Sequence, residues 1–410
     1  MEVTLITSIY PPEIGAASQL IHALALSLRD REHKVTVLTC YPTYNVRVAP
    51  PQYRTGLWMK EVLDDIQVWR IRIPMLPRNS KIARGLQHFI YSLWLSVLTL
   101  FVPHTDVIMV VSPPLPLSLS VCLIGRIRRI PVVVNIQDLF PREAVELGML
   151  TNPLLIRIFE TMEKEVYRIA NAITVHSPGN KEHLIQHGCK PENAHIVYNW
   201  VDTDHIQPGN KDNAFSRQHG LDGRFVVSYA GTMGWAQDMQ TIVQCAAHLR
   251  DHKNILFLLV GDGVEKTKAQ DTSQKLGLNN IIWLPMQPFS IYPEILSSSD
   301  VSLINLNPDL HTPVVPSKLL SIMSAGRPAV ASLPIESDAR RIIDESGCGF
   351  YVNASDSKAL SDAILKVEQD RKLIDQLGER GRDYVLAHYS IEACTSHVEK
   401  ILKHVAGEFL

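Results

Sequence analysis

Short apolar runs rich in Val and Ile recur along the sequence, each followed by a longer stretch with helical periodicity. The first series of runs falls at residues 3–7, 34–39, 68–71, 107–111, 132–135, 172–175 and 195–197. A second falls at 225–230, 255–260, 281–284, 301–304 and 329–331. Strands that are apolar throughout, rather than on alternate residues, belong in parallel sheets covered by helices on both faces. Between the two series lies a polar stretch rich in Gly, Asn and Asp, residues 199–223, which reads as an interdomain linker. The expectation is therefore two α/β domains, 1–207 and 208–390, each a doubly wound Rossmann-like sheet. The residues beyond 356 read as mostly helical. Two such sheets facing one another would leave a ligand cleft at the carboxyl ends of their strands.

Composition narrows the function. The 410 residues carry 40 basic and 42 acidic side chains, a formal charge of −2, with 46% hydrophobic and 20% charged residues. This balance excludes a disordered chain, a collagen, a coiled-coil rod and a polytopic transporter. It also argues against a nucleic-acid binder, which would show a basic excess. Six cysteines are scattered without a C-x-x-C pair, as small buried hydrophobes of a reducing compartment. The opening MEVTLITSIYPPEIG runs straight into a strand pattern rather than a secretory signal, so a cytoplasmic protein is expected.

One stretch stands apart. Residues 85–105, GLQHFIYSLWLSVLTLFVPHT, contain no Lys, Arg, Asp or Glu. They reach the length of a membrane span, but Gln87, His88, Ser92, Ser96 and Thr99 dilute them and Pro103 ends them. The reading favoured is a buried helix of the first domain; its rival is a helix lying in the membrane interface. The rival gains from local charge: residues 47–129 hold eleven basic and four acidic side chains, so 11 − 4 = +7. Such a surface suits an anionic leaflet, and implies peripheral contact with the inner face of the plasma membrane.

Four loops carry the chemistry. After the first run, SIYPPEIGAAS places Gly15 before Ala16 and Ala17, where backbone can approach a ligand at a helix N-terminus; a plain tight turn is the alternative. After the run that opens the second domain, YAGTMGWAQD offers Gly231 and Gly234 in a strand–turn–helix setting suited to phosphate. LLVGDGVEK turns at Gly261, Asp262 and Gly263; Asp262 would hold a ligand hydroxyl or, the reading favoured, cap the next helix. In HTPVVPSKLLSIMSAGRP, Pro316 and Ser317 start a helix with Ser317 as N-cap. Lys318 then sits in the first turn, where the helix dipole disfavours a cation, so it makes sense as the partner of a bound anion. Amides and one cation on three loops suit a nucleotide diphosphate.

With these residues in view, the chain resembles the family-four glycosyltransferases of GT-B fold, in the bacterial branch that makes exopolysaccharide and O-antigen. IYPPEIGAAS, VSPPLPLSLS, NIQDLFPREAVELGML, YNWVDTD, YAGTMGWAQD, VGDG and VPSKLLSIMSAGRPAVAS carry the resemblance in order, from Ile9 to Ser332. It implies transfer of a hexosyl or N-acetylhexosaminyl group, with retention, from a nucleotide sugar, by analogy a UDP-sugar, with no obligatory cofactor or metal. The acceptor implied is lipid-linked or a saccharide. Donor contacts are implied at Gly15, Gly231, Thr232, Met233, Gln237, Gly261, Asp262 and Met286. They continue through Val315, Pro316, Ser317, Lys318, Leu319 and Ser321. Acceptor contacts are implied at Glu13, Asp138, Arg142 and Glu143, with Asp138 and Lys318 as the catalytic pair; a helix N-cap is the bland alternative for Asp138. The last helix, 391–410, is implied to cross back to the first domain.

The chain departs from the family in two respects. The E-x7-E pair, whose second Glu holds the ribose, falls here on Pro313 and Ser321. The family's Arg and Lys after the second domain's first strand are replaced by Thr232, Met233 and Gln237. Asp309 and Glu294 are substitute acids by proximity in sequence only. This loss keeps a second reading open, a degenerate non-catalytic scaffold; a UDP-sugar 2-epimerase is a third. The D-x-D at 202–204 lies in the linker and is read as chance. His183/His187 and His248/His252 are read as exposed pairs on helices rather than metal ligands.

Overall fold

The computed structural model describes residues 1–13, 16–42, 51–53, 56–73, 81–102 and 104–407. The chain divides into two compact units, Met1–Asn199 with Ile391–Leu410, and Trp200–Ser390.

The first unit is built on eight strands: β1 (Glu2–Ile6), β2 (Lys34–Cys40), β3 (Trp58–Leu63), β4 (Ile66–Ile71), β5 (Val107–Ser112), β6 (Val132–Ile136), β7 (Ala172–Val175) and β8 (Ala194–Ile196). Their order is β3-β4-β2-β1-β5-β6-β7-β8. All pairings are parallel except β3 with β4. That hairpin turns on Asp64 and Asp65, both at positive φ, and its edge strand β3 alternates exposed with half-buried residues. The sequence pattern of continuous apolar runs therefore did not announce it. On one face the helix Ala16–Asp30 packs with the final helix, Ile391–Ala406, which belongs to this unit. The other face carries the helices Lys81–Leu100, Leu115–Arg128 and Pro153–Ile169, side by side. Successive right-handed crossovers from β4 to β7 put them there.

The Lys81–Leu100 helix is not buried as favoured from its composition. Leu95, Leu98 and Thr99 face the core, while Leu86, Phe89, Leu93, Trp94, Val97 and Leu100 are exposed. Among the described residues no helix is long and apolar enough to cross a membrane.

The second unit has six strands, β9 (Phe225–Ala230), β10 (Ile255–Val260), β11 (Ile281–Leu284), β12 (Val301–Asn305), β13 (Ala329–Leu333) and β14 (Gly349–Asn353). They are all parallel, in the order β11-β10-β9-β12-β13-β14. Every residue of β9 and β10 is buried, as strands covered on both faces require. The polar stretch 199–223 is not a free linker. From Trp200 onward it is folded onto this unit, because Arg382 donates to the carbonyls of Ile206 (2.9 Å) and Thr203 (3.0 Å), and Asn213 caps a short helix, Ala214–Gln218. Within it Asp202 accepts from the amides of Asp204 and His205, so this D-x-D is a turn.

All six cysteines are buried, and none is in a disulfide. Of the two histidine pairs, His248 and His252 are exposed, but His183 is buried, beside Glu163 (3.4 Å) and Arg142 (3.2 Å). Its helix, Pro178–Gln186, turns that residue inward rather than to solvent.

Candidate functional site

In the second unit three loops meet beyond the carboxyl ends of β9, β10 and β12. The loop after β9 and the loop after β10 are locked together by their backbones. Gly231 donates to the Val260 carbonyl (2.9 Å), Met233 to Asp262 (2.9 Å), and Glu265 to Met233 (3.0 Å). The fit admits no side chain. A Cβ on Gly261, at φ +157°, would stand 1.9 Å from the Gly231 carbonyl oxygen, and one on Gly263 2.2 Å from that of Met233. Gly231 itself, at φ +138°, lies under Lys318, whose Cε would be 2.6 Å from an added Cβ.

Lys318 comes from the third loop. It is the second residue of the helix Ser317–Ser324, whose N-cap position is held by Pro316. Ser317 is thus inside the helix and does not cap it, because Pro316 already takes the extended conformation that precedes the first turn. Lys318 Nζ sits 5.1 Å from the centroid of the Tyr229 ring. Desolvation lowers its ammonium to about 8, and no carboxylate among the described residues offsets this. The result is a cation sunk into the protein beside glycine backbone and open helix amides, an arrangement that takes an anion.

The other residues expected to touch the donor divide. Thr232 and Asp262 are exposed, and Gly231, Met286, Val315, Pro316 and Ser321 are partly exposed. Met233 and Leu319 are wholly buried, so their side chains belong to the core and only their backbone faces the loops. Gln237 turns its Oε1 to the Gly234 amide (2.9 Å), bracing its own loop. Asp262 does not cap the following helix. Its Oδ1 accepts from the Gly263 amide (2.8 Å), and the helix begins only at Lys266. Ser321 Oγ donates back to the Ser317 carbonyl (3.5 Å). Neither proposed substitute acid is an equivalent: Asp309 lies exposed in a turn, and Glu294 accepts from the Phe215 amide (3.2 Å). Gly15 lies outside the described residues.

In the first unit the carboxyl ends of β6 and β7 bring a second group together. Asp138 lies two residues past the end of β6, and Glu143 lies in the first turn of the helix Arg142–Glu146, whose N-cap position is Pro141 rather than Asp138. Asp138 is exposed, but desolvation by the neighbouring protein raises its carboxyl, with His176 pulling the other way. Glu143 is raised to about 8, by desolvation first and then by the charges of Asp138 and Glu146. The two carboxyls therefore share their titration. His176 is the residue that sequence reading missed. It follows β7, just before the Ser177 N-cap, with its Nε2 2.9 Å from the Gln137 carbonyl oxygen and 3.2 Å from the Asn180 side-chain nitrogen. Its position after a buried strand was the available signal. Arg142 is tied back to Glu146 (2.8 Å) and His183. Glu13 is buried, accepting from the Tyr10 amide (3.2 Å). Among the described residues no cluster of His, Cys, Asp or Glu could hold a metal ion.

Two parallel-sheet units with a phosphate-type loop cluster define a class of nucleotide-using α/β enzymes, and comparison with known proteins says which. Residues 15–200 match the glycosyl transferase 4-like domain, and residues 211–384 match the glycosyl transferases group 1. WcaI of Escherichia coli (strain K12), named as a glycosyl transferase of colanic acid biosynthesis, is 24% identical over 335 residues, covering 78% of this chain and 80% of WcaI. WbjE of Pseudomonas aeruginosa, named as a glycosyltransferase, is 24% identical over 328 residues with the same coverage. Among solved structures, Anabaena HepE in complex with UDP and glucose superposes with a TM-score of 0.74 at 16% identity, covering 98% of this chain and 99% of HepE. WaaG, a glycosyltransferase involved in lipopolysaccharide biosynthesis, gives 0.68 at 15% identity over 99% and 100%. The chain belongs to the GT-B glycosyltransferases of the family-four type.

Proposed function

We propose that the protein moves a hexosyl or N-acetylhexosaminyl group from a UDP-sugar, with retention, onto a lipid-linked or saccharide acceptor, on the cytoplasmic side of a membrane, in building a cell-surface polysaccharide. The observation that carries this is the Lys318 ammonium, lying across Gly231 with no carboxylate among the described residues to offset it. UDP in the HepE complex and the polysaccharide roles in the names of WcaI and WaaG support it.

The chemistry follows from charge. When the bond from sugar to diphosphate breaks, negative charge grows on the leaving oxygens. A fixed cation and amides aimed at that charge lower the barrier without reorganising. Lys318 and the amides of the Ser317–Ser324 first turn supply both. The acceptor hydroxyl passes its proton to the departing phosphate, and Asp138 holds sugar or acceptor hydroxyls, with Glu143 behind it. Ser321 and Tyr292 offer hydroxyls, not a carboxylate, to the donor. That observation favours a non-catalytic binding protein as the second reading.

Calorimetric titration with UDP, GDP, ADP and UDP-glucose, followed by assay of UDP release, tests both. Binding of UDP lost in Lys318→Ala supports the donor site, and UDP release dependent on acceptor supports transfer. Binding without release points to the scaffold, and no binding by any nucleotide overturns the donor assignment.

A further inference from the structure

We infer that the first unit docks on an anionic lipid surface through the outer face of the Lys81–Leu100 helix and the end of the Leu115–Arg128 helix. The first helix is apolar on two sides. Its inner side fills the core with Leu95 and Leu98. Its outer side carries Leu86, Phe89, Leu93, Val97 and Leu100, spaced three, four, four and three residues apart, so they form one exposed stripe. Trp94, 43% exposed, flanks the stripe, and Phe101, 71% exposed, extends its end. A helix on the surface of a soluble unit is ordinarily polar on that side.

The neighbouring helix continues the patch. Arg128 donates to the carbonyls of Thr99 and Val102, both at 2.9 Å, and so clamps the two helix ends side by side. That brings Ile127, 79% exposed, to the same corner as Phe101. Arg126 and Arg129, both exposed, flank Ile127.

Charge selects the occupant. The exposed charges at this corner are the guanidinium groups of Arg126 and Arg129, and the sequence between residues 66 and 137 holds a single acid, Asp106. Two copies meeting through this face would set like charge against like charge. A bilayer containing anionic lipid offers hydrocarbon to the stripe and phosphates to the arginines, with Trp94 at the level of the headgroups. The helix then lies in the interface and does not cross it, consistent with its length and hydropathy.

The test is flotation of the full chain with vesicles, without nucleotide or acceptor, so that it stands apart from the transferase reading. Vesicles of phosphatidylcholine alone are compared with vesicles holding about 30% phosphatidylglycerol, at low and high salt. Binding is expected to the anionic vesicles at low salt and to weaken with salt. The double variant Phe101→Glu/Ile127→Glu should lose it by about tenfold or more. Arg126→Gln/Arg129→Gln should lose only the preference for anionic lipid. Ile335→Glu, equally exposed but in the second unit, should float as the parent does. Melting curves and UDP titrations on each variant separate lost docking from lost folding or a lost donor site. No flotation of the parent at low salt overturns the inference, as does a double variant that floats unchanged. A lipid-free dimer that the double variant dissociates overturns it too, and assigns the face to a second copy.

Discussion

Lys318 reaches over Gly231 with its Nζ 5.1 Å from the ring centroid of Tyr229. Tyr229 in turn is held by a hydrogen bond from its hydroxyl to the Thr232 carbonyl (2.6 Å). One buried ring thus supports both the cation and the loop it covers. The ring face gives the ammonium partial compensation, which explains how the charge survives where its pKa has fallen to about 8.

An anion should restore what desolvation removes, so nucleotide binding carries a signed pH dependence. Lys318 is charged below about 8 in the free protein, and bound diphosphate raises that value. UDP affinity is expected to hold below pH 8 and to weaken by up to about tenfold per pH unit above it. Lys318→Ala should weaken UDP binding by roughly 10- to 100-fold, the equivalent of a charge-assisted hydrogen bond. Titration calorimetry between pH 6.5 and about 9 checks both. The stability effect has the opposite sign. A lysine whose folded pKa lies below its unfolded one costs stability at neutral pH. Lys318→Met should therefore raise the unfolding free energy, by up to about 3 kcal/mol at pH 7 before screening is allowed for, and the melting point with it.

Two glycines of the donor loops, Gly231 and Gly261, predict different failures. At Gly231 the obstacle to a Cβ is the flexible end of Lys318, although the positive φ adds strain. Gly231→Ala should fold, melt slightly lower, and lose UDP affinity because the ammonium is displaced. At Gly261 the obstacle is the Gly231 carbonyl at 1.9 Å, which is backbone and cannot give. Gly261→Ala should destabilise by about 2–4 kcal/mol. A thermal melt beside a UDP titration for each variant distinguishes them.

The fold was largely legible because buried parallel strands read as unbroken apolar runs. The runs at 172–175, 225–230, 255–260 and 281–284 coincide with β7, β9, β10 and β11. Two edge strands escaped. β3 alternates exposed and half-buried residues, and β14 opens on Gly349, whose missing Cβ lets it approach the Ala329 carbonyl. Both lack the apolar continuity that marks a central strand. The candidate site was legible as loops but not as side chains. Sequence spacing brought Gly231 and Lys318 to one sheet edge. It could not tell that Met233 and Leu319 turn into the core, because a loop's inward and outward residues follow no period. His176 was missed for a related reason: a single histidine after a strand carries no spacing to recognise.

The final helix is fastened by a cluster that should make the first unit acid-sensitive. Glu399 lies 2.8 Å from His33, 3.2 Å from Arg31 and 2.7 Å from Lys403. Burial alone would raise its carboxyl, but the hydrogen bonds from Lys403 and His33 and the charge of Arg31 prevail and hold it below the usual value. A depressed carboxylate contributes stability above its unfolded pKa and loses it as pH falls through the folded one. Glu399→Gln should thus cost about 1–3 kcal/mol at pH 7, with little difference from the parent near pH 3. Removing Ile391–Leu410 altogether should be far worse. It strips the partner of the Ala16–Asp30 helix, along with the Ser27–Thr395 hydrogen bond (2.7 Å). Melting curves of Glu399→Gln across pH check the first expectation, and soluble yield of the truncated chain the second.

Asp138 and Glu143 should make activity and stability respond to pH in opposite senses. Both carboxyls are raised, Glu143 to about 8, so near neutral pH the pair holds a proton that an unfolded chain would release. Between roughly pH 4.3 and 8 the folded state binds more protons than the unfolded one, and stability falls as pH rises. Glu143→Gln removes that proton and one of the two repelling charges. The variant should gain stability over the parent steadily across this window, with the difference levelling above pH 8. If Asp138 contacts the reacting sugar as a carboxylate, the same change lets it ionise at lower pH. The acid limb of the kcat/KM profile should then move downward in Glu143→Gln, whereas Asp138→Asn should cut the rate at every pH. Paired measurements of melting point and kcat/KM against pH decide the matter. A stability gain with an unmoved acid limb would make the pair a structural feature and remove Asp138 from the reaction.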